Sequence, residues 1–358
     1  ALCRALPDAV PRGLSASAPG MHQWLNRIWY SDRNIGWLLL LPFSGLYTLL
    51  SWLHRYPWGA GILRPETLPV PLIVVGNITA GGAGKTPLVM WLAACLKEMG
   101  MRPGVMSRGY GGRVGKGPVR VSADMNPAYC GDEPAMMAGR LDCPVMVGSD
   151  RLAAAKELIG LGCDVLVADD GLQHHRLARD FEILVVDGRR GFGNGSRLPA
   201  GPLRESPKRT RTVDCVVVNG AGGGPCHEAS VCRMKLVGDK LHRLDDSEKI
   251  DLDAWPRPVH AIAGIGNPGR FFSYLEQAGL TIERHAFADH FSYRQKDLEF
   301  TGDLAIVMTE KDAVKCRSFE LGDAWYLPVR TQFLDDGEEQ IRKQLNEMLC
   351  SHQTPAGE

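Results

Sequence analysis

The chain has 358 residues, 44% of them hydrophobic and 23% charged, and this length and composition leave room for two α/β domains. Lys and Arg together number 41, and so do Asp and Glu. This balance excludes a global field that attracts nucleic acid, so any recognition by charge must be local. The ten cysteines include no C-x-x-C pair. Their spacing argues against a zinc site or a disulfide framework and indicates reduced thiols in the cytosol.

The amino-terminal region contains a long uncharged stretch. Residues 1–20 show no regular pattern and end just before Met21, so we leave them out of the fold as a leader or extension. Residues 35–53 carry no charge and are flanked by basic side chains. As a helix they would rise roughly 28 Å, close to the thickness of the hydrocarbon layer. We expect a membrane-associated helical segment over residues 21–60, lying in the interface or spanning once, with a buried core helix as the alternative.

After this segment, apolar runs alternate with stretches of helical pattern, which is typical of a mostly parallel sheet covered on both faces. The runs that predict strands are 71–75, 103–106, 144–147, 164–168, 182–186, 214–218, 258–263, 303–308 and 325–328. The rhythm breaks over 221–257, where a glycine-rich stretch and an alternating pattern predict a hinge and a two-stranded ribbon. The sequence therefore predicts an α/β protein with a larger domain over 61–220 and a smaller one over 258–358.

The stretch "GNITAGGAGKTP", residues 76–87, lies between an apolar run and a helical pattern. Gly84, Lys85 and Thr86 match the end of the phosphate-loop pattern, whereas Thr79 occupies the place of its first glycine. In such a loop the amides and helix dipole hold a triphosphate, the lysine reaches its terminal phosphates and the threonine binds Mg²⁺. The nucleotide-binding residues predicted here are Gly81, Gly82, Ala83, Gly84, Lys85, Thr86 and Pro87. The larger domain is thus expected to have the P-loop NTPase type of fold.

A second ligand for Mg²⁺ is expected where an apolar strand ends. In "CDVLVADDG", Asp169 and Asp170 follow such a run, and the carboxyl ends of parallel strands face the crevice where ligands bind. We expect Asp169 to hold the hydrated metal and Asp170 to orient a base or nucleophile. A solvated Asp-Gly turn is the alternative.

Several stretches, in chain order, resemble the tetraacyldisaccharide 4′-kinases, the enzymes that phosphorylate the lipid A precursor. They are "VVGNITAGGAGKTP" (74–87), "SRGYGG" (107–112), "GDEP" (131–134), "ADDGLQHHRLARD" (168–180), "VVDGRRGFGNGSRLPAGPLRE" (185–205), "AGIGNPGRFF" (263–272), "FADHFSY" (287–293) and "TEKDAVK" (309–315). The combination is far more specific than the phosphate loop alone. One departure is Ala83, where the family often carries a polar residue; we expect little effect because backbone groups define the loop.

The resemblance implies an enzyme at the cytoplasmic face of the bacterial inner membrane. It would transfer the γ-phosphate of ATP, with Mg²⁺, to the 4′-hydroxyl of a tetraacylated glucosamine disaccharide 1-phosphate. The implied partners are this lipid A precursor and inner-membrane lipids, with no nucleic acid and no protein partner. A membrane-associated regulatory NTPase that switches partner binding is the alternative, although Ala80 stands where such proteins often carry a lysine. A nucleotide-binding scaffold without turnover is a third possibility.

The resemblance also implies the catalytic groups. Asp132 of "GDEP" matches the position of the family's catalytic carboxylate, and we favour it as the base. Asp170 and His290 are predicted to form a pair that supports Asp132 or takes the proton itself. Loss of either base would leave measurable activity, whereas loss of Lys85 would not. The residues predicted to contact the anionic substrate are Ser107, Arg108, Tyr110, Glu133, Arg204, Glu205, Thr309 and Lys311.

Overall fold

The alternation of apolar runs and helical patterns produces two sheets, each flanked by helices. The computed structural model describes residues 21–30, 35–115, 117–222 and 231–353. The predicted leader over 1–20 and most of the predicted glycine hinge, residues 223–230, lie outside the described residues. The predicted α/β class with a mostly parallel sheet is confirmed.

The described elements follow the predicted order closely. The strands are β1 (Leu72–Gly76), β2 (Pro103–Ser107), β3 (Val119–Val121), β4 (Val145–Val147), β5 (Val165–Asp169), β6 (Phe181–Asp187), β7 (Cys215–Asn219), β8 (Val231–Val237), β9 (Lys240–Arg243), β10 (Lys249–Asp251), β11 (Val259–Ala263), β12 (Ile282–Ala286), β13 (Ala305–Thr309), β14 (Ala324–Leu327) and β15 (Arg330–Phe333). The helices are α1 (Met21–Tyr30), α2 (Ile35–Gly59), α3 (Lys85–Glu98), α4 (Pro127–Cys130), α5 (Asp132–Arg140), α6 (Arg151–Gly160), α7 (Pro268–Gln277), α8 (Glu310–Cys316) and α9 (Gly337–Gln353). All nine predicted strands are present, with ends within two residues of the predicted ones.

The large sheet has the strand order β15-β8-β7-β6-β1-β5-β2-β4-β3. Its inner strands are parallel, and both edge strands run antiparallel to their neighbours. Side chains of β1 alternate between two cores, one packed against α3 and the other against α6. Covered faces explain why these strands are apolar throughout. Because the inner strands are parallel, the loops after β1 and β5 meet at one edge.

The small sheet has the order β10-β9-β14-β13-β11-β12. Strands β14, β13, β11 and β12 are parallel, and β9 and β10 add an antiparallel hairpin at one edge. Helix α7 covers this sheet through Phe271, Phe272 and Leu275. The loops after β11, β12 and β13 therefore share the carboxyl edge of a second parallel sheet.

The prediction that the two strands of the alternating stretch 230–244 pair with each other as a ribbon is wrong; within 221–257 it is β9 and β10 that form a hairpin. Both strands exist, but β8 pairs in parallel with β7 of the large sheet, whereas β9 pairs with β14 of the small sheet. The chain crosses between the sheets at Gly238 and crosses back after Leu327, so that β15 pairs with β8. Helix α9 also packs into the large core. The small sheet is thus inserted between two strands of the large sheet, and the region 258–358 does not form one separate unit.

Helix α2 is continuous over Ile35–Gly59 despite the two prolines within it. In the described chain it is the one helix long and apolar enough to cross a bilayer, and 6% of its most apolar window is buried. The buried core helix considered as an alternative is therefore wrong. A narrow polar face docks on the loop around residues 196–205, where Ser44 Oγ donates to the Arg197 carbonyl at 2.5 Å and Arg55 pairs with Glu205 at 3.1 Å.

Candidate active site

The phosphate loop leads directly into α3, which begins at Lys85. Gly84 has φ 90°, and a Cβ there would lie 2.2 Å from Asn219 Nδ2, so both backbone and space require glycine. The amino end of α3 has no side-chain cap, which leaves its amides available to an anion. Lys85 Nζ donates to Asn77 Oδ1 at 3.1 Å and lies 3.3 Å from Asp170 Oδ1. The loop therefore presents amides and a held ammonium group to the cleft.

The two carboxylates after β5 have opposite electrostatic environments. Asp169 is 1% exposed, and its buried Oδ1 has no hydrogen-bond partner among the described residues. Burial and the charge of Glu133 raise the pKa of Asp169 to about 7, despite the opposing effect of Lys85. Burial also raises the pKa of Asp170, but the charges of Lys85 and Arg204 outweigh it and hold the pKa below its ordinary value. Asp170 is thus a fixed anion, whereas Asp169 forms no ion pair with any side chain that the structure describes.

Asp132 and His290 form a close pair across the two sheets. Asp132 begins α5, and its Oδ2 lies 3.1 Å from His290 Nδ1 in the loop after β12. Gly131 has φ 97°, and a Cβ there would lie 2.9 Å from the Tyr110 carbonyl. The predicted pairing of Asp170 with His290 is wrong, because Asp170 instead contacts Lys85 and Arg204. The carboxylate–histidine pair is built from Asp132.

Lys311 orients the histidine of this pair through a direct contact. Its Nζ lies 3.1 Å from Glu133 Oε1, 3.3 Å from Asp289 Oδ1 and 3.3 Å from His290 Nε2. Burial lowers the pKa of Lys311, but Glu133 and Asp289 outweigh it and raise the pKa. Because a charged ammonium can only donate, Nε2 is the acceptor and Nδ1–H donates to Asp132. His290 Nδ1 is therefore the donor to the carboxylate.

The phosphate loop and the His290 loop line one cleft. Gly266, after β11, is close to both loops: a Cβ there would be 3.2 Å from Gly82 N and 3.4 Å from Asp289 Oδ2. Arg190 Nη2 donates to the Gly266 carbonyl at 3.2 Å, which ties the large layer to the small one. The carboxylates of Asp132 and Asp289, the Lys311 ammonium group and the His290 ring therefore lie between the phosphate-binding loop and the carboxyl edge of the small sheet.

The remaining predicted substrate residues are spread over this cleft. Ser107 is buried at the end of β2, Arg108 is exposed, and the exposed Tyr110 ring lies 5.3 Å from the His290 ring. Two others, Glu205 and Thr309, form hydrogen bonds or ion pairs within the protein. Glu205 pairs with Arg55 of α2 and accepts from Gln173 at 2.7 Å. The Thr309 hydroxyl caps α8.

Sequence reasoning missed several polar groups that complete the site. Asn219, at the end of β7, is fully buried; its Nδ2 donates to the Ala83 carbonyl at 2.9 Å, and its Oδ1 accepts from Arg270 at 2.6 Å. Asn77 holds Lys85, and Arg190 contacts Gly266. A polar residue directly after an apolar strand was the signal for Asn219, and it is the same signal that singled out Asp169.

This fold and cleft define a P-loop phosphotransferase in which a carboxylate–histidine pair faces the phosphate-binding loop. The family model described as tetraacyldisaccharide-1-P 4′-kinase matches residues 36–349. The chain belongs to this family and is a kinase.

Relatives of the same name match most of the chain. A tetraacyldisaccharide 4′-kinase from Nitrosococcus oceani is 46% identical over 85% of this chain and 88% of its own. One from Hahella chejuensis is 44% identical over 93% of this chain and 99% of its own. A crystal structure of LpxK from Aquifex aeolicus in complex with ATP has a TM-score of 0.75 and 30% identity, and the match covers 88% of this chain and all of that one.

Proposed function

We propose that this chain transfers the γ-phosphate of ATP to the 4′-hydroxyl of a tetraacylated glucosamine disaccharide 1-phosphate, a step of lipid A biosynthesis. The observation that carries the proposal is the contact between Asp132 and His290, in a chain of this family that also has the phosphate loop. A hydroxyl acceptor needs a base facing the phosphate donor, and the cleft supplies both.

The phosphate loop would hold ATP through the residues predicted for it. The amides of Gly81 to Thr86 and the start of α3 face the phosphates, and Lys85 reaches the terminal ones. Asn77 and Asp170 hold Lys85 in that direction before ATP arrives. Arg204, which contacts Asp170 at 3.1 Å, adds a second cation near the phosphates.

The residues present fit Mg²⁺. The Oδ1 atom of Asp169 is a buried carboxylate oxygen without a partner, and Thr86 offers its hydroxyl from the phosphate loop. When bound, Mg²⁺ supplies charge neutralisation on the transferred phosphoryl group. These two residues are proposed as its protein ligands.

Asp132 is proposed as the general base. Its Oδ2 accepts from His290 Nδ1, which leaves Oδ1 to take the proton of the 4′-hydroxyl as the oxygen attacks the γ-phosphate. His290 holds the carboxylate in place, and Lys311 holds His290. Phosphoryl transfer depends mostly on positioning and charge, so these contacts act by fixing the acceptor in line.

The acyl chains of the substrate require access from a membrane. Helix α2 exposes a large apolar surface made by Ile35, Leu38, Leu39, Phe43, Leu46, Leu49, Leu50, Trp52, Leu53 and Tyr56. Its polar face docks on the loop that ends in Arg204 and Glu205, where the Tyr47 hydroxyl donates to the Arg204 carbonyl at 3.3 Å. We place this helix in the cytoplasmic leaflet of the inner membrane, next to the phosphate-loop side of the cleft.

The test is transfer of labelled γ-phosphate from ATP to the purified disaccharide 1-phosphate in detergent micelles. Asp132→Asn should lower kcat by about 100-fold or more, as expected for loss of a general base, while Lys85→Ala should abolish transfer. Glu299→Gln, a change at an exposed residue, is the control. Label that appears only as free phosphate would overturn the kinase assignment and favour a regulatory NTPase.

A further inference from the structure

Two histidines and a glutamate converge on the edge of the small sheet, outside the cleft residues described above. His260 of β11 is directly opposite Glu283 of β12 in the parallel register, and His285 lies two residues further along β12. Because side chains alternate along a strand, Glu283 and His285 face the same side. His260 Nδ1 is 3.1 Å from Glu283 Oε2 and 3.2 Å from His285 Nε2, and the three ligand atoms all lie within 4.8 Å of one another.

These separations match a shared cation better than a hydrogen-bond network. Ligands roughly 2.0–2.1 Å from a tetrahedral Zn²⁺ lie roughly 3.3–3.4 Å from each other. His260 Nδ1 has two neighbours at nearly that distance but can donate only one proton or accept one. A cation between the three atoms would satisfy all of them at once.

The surroundings keep both rings in place and favour the neutral form of His285. His260 is 3% exposed, and the Phe300 ring lies 4.5 Å from the His260 ring and 4.1 Å from the His285 ring. Burial and the charge of His260 lower the pKa of His285. Neutral imidazole is the form that binds a metal.

We propose that His260, Glu283 and His285 form a binding site for a divalent transition-metal cation, with Zn²⁺ as the best match. Two imidazole nitrogens and one carboxylate suit Zn²⁺ or its neighbours in the series and disfavour Mg²⁺, which prefers oxygen ligands. The absence of C-x-x-C spacing argued against a zinc site, but this group contains no cysteine. A three-residue site leaves a fourth position for water or another ligand.

The location suggests what the cation would do. Among the described strands, β12 lies at the edge and pairs only with β11, and a shared ion would cross-link the two. Three residues after β12 ends comes Asp289, followed by His290. A fixed β12 would therefore anchor the loop that carries the histidine of the cleft, without any contact between the ion and the substrate.

The test uses the full chain, stripped with a chelator and then titrated with Zn²⁺ in the presence of excess Mg²⁺. We expect about one Zn²⁺ bound per chain, with a rise in melting temperature. His285→Ala should weaken Zn²⁺ binding by at least about tenfold. Glu283→Gln provides a second, surface-facing change in case the first disturbs β12.

Two control variants test whether a histidine or cysteine elsewhere in the chain binds the Zn²⁺. His242→Ala removes a histidine that contacts Tyr326, and Cys350→Ser removes an exposed thiol; neither should change the stoichiometry. A Co²⁺-substituted sample should show tetrahedral visible absorption that His285→Ala abolishes. Zn²⁺ binding that survives both His285→Ala and Glu283→Gln, or that disappears with Cys350→Ser, would overturn the proposal.

Discussion

Neutralising Asp169 should stabilise the free protein while it impairs the enzyme. Burial and Glu133 raise the pKa of this carboxyl from 3.8 to about 7. Between these values the folded state binds more protons than the unfolded state, so the free energy of unfolding falls as pH rises from about 4 to about 7. At about 1.36 kcal/mol per pKa unit, a shift of about three units corresponds to about 4 kcal/mol at pH 8, an upper limit that relaxation of neighbours reduces.

Asp169→Asn removes this penalty because the amide carries no charge at any pH. Without metal or nucleotide, we expect the variant to be more stable than the parent chain by about 1–4 kcal/mol at pH 8. The gap should narrow as pH falls and close only below about pH 4, where Asp169 of the parent is protonated in both the folded and the unfolded state. Urea denaturation across this pH range measures it, and Mg²⁺ with ATP should narrow the gap by binding the parent preferentially.

The neighbouring Asp170 provides a control in which the same substitution should change the free energy of unfolding in the opposite direction. Lys85 and Arg204 hold the pKa of Asp170 below its ordinary value. The ionised carboxylate therefore stabilises the folded state at pH values above the ordinary carboxyl pKa, and this stabilisation is lost as pH falls and the group is protonated. Asp170→Asn should therefore destabilise the protein at pH 8. An Asp169→Asn variant that is less stable than the parent at pH 8, or whose gap does not change with pH, would refute the argument.

Three further changes test other parts of the molecule. Asn219→Ala should raise the KM for ATP several-fold, because the Ala83 carbonyl loses its donor; initial rates against ATP concentration measure this, and an unchanged KM would exclude the role. Lys311→Met should lower kcat by about tenfold or more with little change in KM, since His290 loses its orientation; equal activity would show that Lys311 is dispensable. Leu46→Glu should reduce co-flotation with lipid vesicles, and undiminished flotation would exclude this face of α2 from the membrane.

Local sequence determined much of the site in advance. The phosphate loop is one continuous stretch between a strand and a helix, so its position followed from glycines, Lys85 and Thr86 alone. Asp169 and Asp170 followed from the rule that ligands bind at the carboxyl ends of parallel strands. Both inferences need only neighbours in the sequence.

The pairing of distant groups could not be obtained in this way. Asp132 and His290 are 158 positions apart, one at the start of α5 beside the large sheet and the other in the loop after β12 of the small sheet. Their contact therefore depends on how the two layers face each other. For this reason the sequence wrongly predicted His290 as the partner of Asp170, which contacts Lys85 and Arg204 instead. Likewise, alternation in 231–243 showed which residues of each strand are buried but not which strand lies beside it.

The insertion of the small sheet has a consequence for biosynthesis. Translation delivers β8 and then all six strands of the small sheet before β15 and α9 emerge from the ribosome. The small sheet can form from one contiguous piece of nascent chain. In the large sheet, by contrast, β8 remains an unpaired edge strand until β15 is synthesised. A premature stop after β14 would thus leave an unpaired β8 rim, a surface prone to self-association.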